Sequence, residues 1–276
     1  MVPEGWNRRK LDDVAELIGG TTPSKAFFDY WDGEIPWATP SDITSLSAST
    51  NYIYNTSSNI TKLALEETSV RLLSPGSVLM TSRATIGEVV INMVPMATNQ
   101  GFCNFIPNSS IHAEYLANLL KFSKNKLKRL AAGSTFLEIS KKTLKNIEII
   151  LPPIQEQKII ATILSSVDDA IQATQAVIDQ TRTVKQGLLQ QLLTRGIGHT
   201  RFKQSEIGEI PEEWEVMTVN EIVSLMKSGL SRRIVPQDIG IPVLISGNIQ
   251  NGKLDTKDLK FWYEKDPQGL ELIIIF

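Results

Sequence analysis

Apolar residues return at helical spacing in two places that share one context. Leu11, Val14, Ala15 and Ile18 follow Pro3-Glu4-Gly5-Trp6, and Val219, Ile222, Val223 and Met226 follow Pro211-Glu212-Glu213-Trp214. The spacing predicts a short helix after each tryptophan. The register between the two sets is constant, which marks an internal repeat. Further on, Ile35-Pro36 matches Ile241-Pro242 and Ser41-Asp42-Ile43 matches Gly247-Asn248-Ile249, in a register shortened as a loop deletion would shorten it. The first copy runs to about residue 150, whereas only the opening segment of the second precedes Phe276.

Within the first copy, short apolar runs at Val78 to Met80, Glu88 to Ile91 and Phe102 to Ile106 lie between Gly, Pro and Asn turn signals and predict strands. Tyr115, Leu116, Leu119, Leu120 and Leu127 recur on one face and predict a helix from Ile111 to about Leu130. After Pro152-Pro153, some forty residues lack proline and have no glycine before Gly187, which favours one long helix. Steps of four and three through Ile160, Leu164, Val167, Ile171, Thr174, Ile178, Thr181, Lys185, Leu188 and Leu192 form a coiled-coil seam with a polar middle. Such a helix is roughly 60 Å long at about 1.5 Å per residue. The expected fold class is therefore mixed α/β (α+β). Residues 1–150 form a first domain, residues 151–196 one long coiled-coil helix, and residues 197–276 a linker and a partial second copy of that domain.

Composition narrows the reading. A chain of 276 residues that is 42% apolar can bury a core, which excludes a disordered protein. The formal charge of -2 is uninformative about polyanions, so any nucleic-acid surface must come from local clustering. Cys103 stands alone, which excludes an intrachain disulfide framework or a thiolate zinc site. No apolar signal region and no membrane-length apolar run are present, so a cytoplasmic location and no membrane partner are expected.

The densest basic cluster comprises Lys121, Lys124, Lys126, Lys128, Arg129, Lys141, Lys142 and Lys145. Like charges this close repel unless a polyanion neutralises them, which points to phosphate contact by Lys124, Lys128, Arg129, Lys141 and Lys142, although a solvated helix face has the same appearance. Ser134 and Thr135 interrupt the cluster with hydroxyl donors suited to phosphate oxygens. Gly19 to Lys25 places Thr22, Ser24 and Lys25 after the first short helix. This string lacks the ending of a nucleotide-binding P-loop and also reads as a plain turn. Ser82 and Arg83, after one strand, and Asn99 and Gln100, before another, are plausible base readers, since Arg suits guanine and Asn or Gln suits adenine. Ordinary turn residues are the alternative.

Signs of catalysis are missing. His112 and His199 are the only histidines, lie in no metal-ligand spacing, and read as incidental surface residues. Leu151-Pro152-Pro153-Ile154 lacks the polar and aromatic residues of an adenine-methyltransferase motif, and no carboxylate-lysine set for magnesium stands out.

Four stretches together carry a family resemblance: Pro3-Glu4-Gly5-Trp6, Thr81 to Ile91, Leu151-Pro152-Pro153-Ile154-Gln155-Glu156-Gln157, and Ile207 to Trp214. In order and spacing the chain resembles the DNA-specificity subunit of type I restriction-modification systems, truncated within its second recognition domain. The resemblance implies a subunit without catalysis of its own, which directs adenine methylation and restriction by partner subunits. Each recognition domain reads half of an interrupted site in double-stranded DNA. The helices hold the domains apart and dock the modification subunits, and a restriction/translocase subunit joins through the complex. S-adenosylmethionine, ATP and Mg are expected in those partners, with no cofactor and no metal on this chain. With one spacer helix here, two chains could pair as a homodimer through Ile160, Leu164, Val167, Ile171, Ile178, Leu188 and Leu192. A coiled-coil adaptor or an inactive remnant without DNA recognition is the rival reading.

Overall fold

The computed structural model describes residues 3–47, 49–132, 137–224, 241–250 and 252–262. The chain divides into two compact units, Met1–Gly187 and Leu188–Phe276.

In the first unit, strand β1 (Asn7–Lys10) leads into helix α1 (Leu11–Val14) and strand β2 (Ala15–Gly19). The helical spacing of Leu11, Val14, Ala15 and Ile18 thus extends over one helical turn only. From Ala15 the buried-exposed-buried alternation of Ala15, Glu16 and Leu17 and pairing with a distant strand take over. Next come β3 (Trp31–Ala38), α2 (Pro40–Thr44), β4 (Tyr52–Ile53), β5 (Asn59–Ile60) and α3 (Lys62–Glu67). Strands β6 (Val78–Thr81), β7 (Val89–Asn92), β8 (Ala97–Thr98) and β9 (Phe102–Pro107) cover the three expected strands and add a fourth.

The principal sheet has the order β2-β9-β6-β7-β4, and a second has β5-β3-β8. Val78 and Met80, Val89 and Ile91, and Cys103 and Phe105 point into one core, while Leu79, Val90 and Phe102 point into another on the opposite face. Burial on both faces explains why these strands read as near-continuous apolar runs.

The helix expected from Ile111 to Leu130 is two, α4 (Ala113–Phe122) and α5 (Lys124–Leu130), meeting at Ser123 with ψ near 0°. The break lets Leu116, Leu120 and Leu127 all reach the same core. Helix α6 (Lys141–Lys145) and strand β10 (Glu148–Leu151) follow, and β10 pairs antiparallel with β1 from Asn7↔Leu151 to Lys10↔Glu148. The ends of the domain are therefore stitched together just before helix α7 (Ile154–Arg195), 42 residues long. No helix among the described residues is long and apolar enough to cross a membrane.

In the second unit, the hairpin β11 (Phe202–Ser205) and β12 (Gly208–Pro211) leads into α8 (Val219–Ile222). Strand β13 (Ile241–Val243) follows, then β14 (Ile249–Gln250), β15 (Lys253–Leu254) and β16 (Lys260–Trp262). β13 pairs antiparallel with β16 at Ile241↔Trp262, as β3 pairs with β5 at Ile35↔Ile60, so the repeat extends to the strand ladder. Met226 and the Leu272 to Phe276 tail lie outside the described residues.

His199, expected to be an incidental surface residue, is packed: its ring meets Trp214 edge-on at 6.0 Å. Gly196, at φ +65°, lets the chain turn sharply off the end of the long helix against both side chains.

Candidate nucleic-acid interface

Sheet register gathers three loops. Gly19 at the end of β2 is paired with Cys103, and Thr81 at the end of β6 with Phe102, so these strand ends and the start of β9 lie at one end of the sheet. Thr21 N–H donates to the Thr98 carbonyl at 2.9 Å, and Ser82 N–H to the Gly101 carbonyl at 2.7 Å. Asn99 closes its own turn by accepting from Gly101 N–H at 2.8 Å. Gly20 lies so close to Thr98 and Asn99 that a Cβ has no room, which makes glycine a requirement there. The Thr22 hydroxyl donates to the Gln100 side-chain oxygen.

The loop after β6 runs against the segment 137–139, where Ile139 N–H donates to Ser82 at 3.0 Å and Ala84 N–H to Leu137 at 3.2 Å. There Arg83 Nε meets Glu138 Oε1 at 3.0 Å, with both side chains half-exposed. An exposed pair of this kind is worth roughly 0–1 kcal/mol. The Arg83 guanidinium is therefore held only weakly by Glu138.

Of the expected readers, Thr22, Arg83, Asn99 and Gln100 meet in this one loop cluster. Ser24 and Lys25 are exposed further along the first loop, whereas Ser82 is buried and shapes the loop instead of reading from it. Ser134 and Thr135 lie outside the described residues.

The basic cluster divides in two. Lys124 forms an ion pair with Glu88, as Arg83 does with Glu138, and Lys145 bonds Asp12 at 2.8 Å. Lys121 turns inward, where burial holds its pKa below the usual lysine value, and donates to Asn51 Oδ1 at 2.5 Å. Lys126, Lys128, Arg129, Lys141 and Lys142 are exposed and have no carboxylate partner among the described residues. The backbone links α5 to the loop cluster: Ala132 is bridged to Glu138, and Glu138 to Arg83. Burial pushes the Cys103 thiol up to about 12, with the charges of Lys141 and Lys145 only partly offsetting it. No group of three His, Cys, Asp or Glu among the described residues is placed to hold a metal.

The long helix carries residues that periodicity did not single out. Gln157 is fully buried: its Oε1 accepts from His112 N–H at 2.9 Å, and its Nε2 donates to Ser110 at 3.0 Å and to Pro152 at 2.8 Å. The signal was available, because Gln157 is a polar residue on the face of Ile160, Ala161 and Leu164. His112 is likewise not incidental: it occupies the N-cap position of α4, and its Nδ1 is buried without a partner among the described residues. Ile160 packs against the domain core, so it leaves the seam. Leu164, Val167, Ile171, Ile178, Leu188 and Leu192 remain 41–53% exposed.

The family model described as "Type I restriction modification DNA specificity domain" matches residues 3–181. The specificity subunit of type I restriction enzyme MjaIX from Methanocaldococcus jannaschii is 38% identical over 235 residues, covering 81% of this chain and 53% of that relative. The EcoKI specificity subunit from Escherichia coli K12 is 24% identical over 94% of this chain and 57% of its own length. The chain thus spans little more than half the length of the curated relatives it matches. Among solved structures, the HsdS subunit from Thermoanaerobacter tengcongensis aligns with a TM-score of 0.52 at 21% identity, covering 69% of this chain and 45% of that one. A chain of a type I R-M system, solved for its complex assembly and conformational transition, aligns at 0.54 and 22%, covering 69% of this chain and 46% of that one. At these identities the two likenesses speak to the fold.

Proposed function

The chain belongs to the type I restriction-modification DNA specificity family, and from that premise we propose that it is a sequence-specific DNA-binding subunit whose first domain reads one half of an interrupted site. The loop cluster of Thr22, Arg83, Asn99 and Gln100, with Ser24 and Lys25 beside it, faces base edges in the major groove. Lys128, Arg129, Lys141 and Lys142 hold the phosphates and set the register on the duplex. The observation that carries this reading is the convergence of potential base readers at one sheet end, linked through Glu138 and Ala132 to a helix bearing exposed cations without a carboxylate partner among the described residues.

The chain supplies the address and no chemistry. Modification subunits dock on the helical region and bring S-adenosylmethionine, and a restriction/translocase subunit joins with ATP and Mg. Two chains pair through the stripe from Leu164 to Leu192, which favours a symmetric interrupted site. The exposure of that stripe supports the pairing, since apolar surface left in water costs about 25 cal/mol per Å² relative to burial.

Co-expression with the modification subunit, followed by methylation sequencing of cellular DNA, tests the reading. Adenine methylation at one interrupted motif is the expected result, symmetric if the subunit acts as a homodimer. A stable complex that leaves DNA unmethylated overturns the recognition role, and failure to form a complex overturns the docking role.

A further inference from the structure

Among the described residues, two groups of side-chain hydrogen bonds hold the long helix to its domain. The first is the Gln157 clamp with buried Ala161. The second lies two to three turns further on, where the helix passes the segment 49–51. There Asp168 Oδ2 accepts from Asn51 Nδ2 at 2.6 Å, and Gln172 Nε2 donates to the Ser49 carbonyl at 2.8 Å. Asn51 is itself held from behind, because its Oδ1 accepts from Lys121 Nζ at 2.5 Å. Asp168 and Gln172 are off the apolar seam, and neither is required for helix formation.

We propose that Lys121, Asn51, Asp168 and Gln172 form a brace that fixes the direction in which the spacer helix leaves the recognition domain, and thereby the number of base pairs between the half-sites. This rests on the DNA-recognition reading above. One attachment point leaves a rod free to pivot; a second removes that freedom. Gly187 is about 39 Å along the axis from Ala161 at roughly 1.5 Å per residue. A tilt of about 5° moves it sideways by roughly 3.4 Å, which is the rise of one base pair. Small angular freedom at the domain therefore becomes an error of a whole base pair in spacing. The four are positioning residues: they hold the helix and contact no base.

Two measurements test the brace. Spin labels at exposed positions Glu66 and Gln180, in full-length chain diluted with unlabelled chain, report the helix direction by pulsed dipolar spectroscopy; Cys103 is buried and does not take up label. The parent shows one narrow distance distribution. The variant Asp168→Ala with Gln172→Ala broadens it, and Asp168→Asn, which keeps an acceptor for Asn51, leaves it narrow. In the complex with modification subunits, the double variant methylates sites with a spacer longer or shorter by one base pair at least tenfold more than the parent does, with unchanged half-site bases. A distribution as narrow as the parent's overturns the brace, and a broad one with unchanged spacing overturns its link to the spacer. If the parent methylates nothing, the DNA reading fails while the spectroscopy still decides the brace.

Discussion

Trp6 N–H donates to the Pro3 carbonyl at 3.1 Å, and Trp214 N–H donates to Pro211 at 2.9 Å. Four residues after each tryptophan a carboxylate three positions ahead closes a one-turn helix: Asp13 accepts from Lys10 N–H at 2.8 Å, and Glu221 from Thr218 N–H at 2.5 Å. The surroundings differ. Leu11 and Val14 are 0% and 1% exposed beneath the first domain's sheet and helices, whereas Val219 and Ile222 are 54% and 65% exposed. Turn geometry thus follows from neighbours in sequence, while burial depends on partners many residues away. The repeat shows the two separately because it presents one local motif buried in one copy and exposed in the other.

The largest expected effect separates the copies by stability. Leu11→Ala opens a cavity in a packed core and costs about 2–5 kcal/mol. Val219→Ala, on an exposed turn, stays within roughly 0.5 kcal/mol. Urea unfolding of both variants checks this, and a comparable loss at Val219 breaks the contrast.

A second, smaller effect concerns the next matched turn. Asp42 Oδ2 accepts from Thr39 N–H at 2.7 Å, and Asn248 Oδ1 accepts from Ile245 N–H at 2.9 Å. Their other atoms meet opposite partners. Asp42 Oδ1 accepts from Ser57 N–H at 2.8 Å, whereas Asn248 Nδ2 donates to the Asp255 carbonyl at 3.0 Å. A carboxylate suits the donor and an amide suits the acceptor, which accounts for Asp in one copy and Asn in the other. Asp42→Asn sets an NH₂ against Ser57 N–H and costs about 1–3 kcal/mol near neutral pH. Burial works against the Asp42 charge, but the bonds from Thr39 and Ser57 together hold its carboxyl below the ordinary value. A depressed folded-state pKa contributes stability above the unfolded-state pKa, and that contribution disappears as pH falls through the folded value. The parent therefore loses in acid a contribution that Asp42→Asn lacks at every pH. Unfolding free energies from pH 7 down to pH 3 for the two proteins converge; a constant difference removes Asp42 as the titrating group.

What could be read in advance divides along the same line. The repeat, the strands at Val78, Val89 and Phe102, and the long helix rest on patterns within a few residues, and so were legible. The switch from α1 to β2 at Ala15 was not, because β9, nearly ninety residues away, decides it. Nor was the pairing of Lys124 with Glu88 or of Arg83 with Glu138, since spacing alone does not show which cations the fold neutralises. Asn51 and Asp168 are ordinary polar residues in sequence, and only the fold brings them together.

The smallest effect is a gain. Lys10 occupies the N-cap of α1, where its backbone alone reaches Asp13, whereas at the matching cap Thr218 adds a hydroxyl bond to Glu221 at 2.8 Å. Threonine is a favoured cap residue and lysine is not. The first copy tolerates the poorer cap because Leu11 and Val14 pin its helix to the core; α8 has no such packing among the described residues and relies on its cap. Transferring the better cap by Lys10→Thr should stabilise the protein by about 0.5 kcal/mol. In a unit of this size that raises the melting temperature by roughly 1–2 °C. Thr218→Ala should leave that melting temperature unchanged and speed amide exchange only in α8. A drop for Lys10→Thr would mean that the lysine stem, whose Nζ reaches Asn146 Oδ1 at 3.5 Å, contributes more by packing than a cap hydroxyl does.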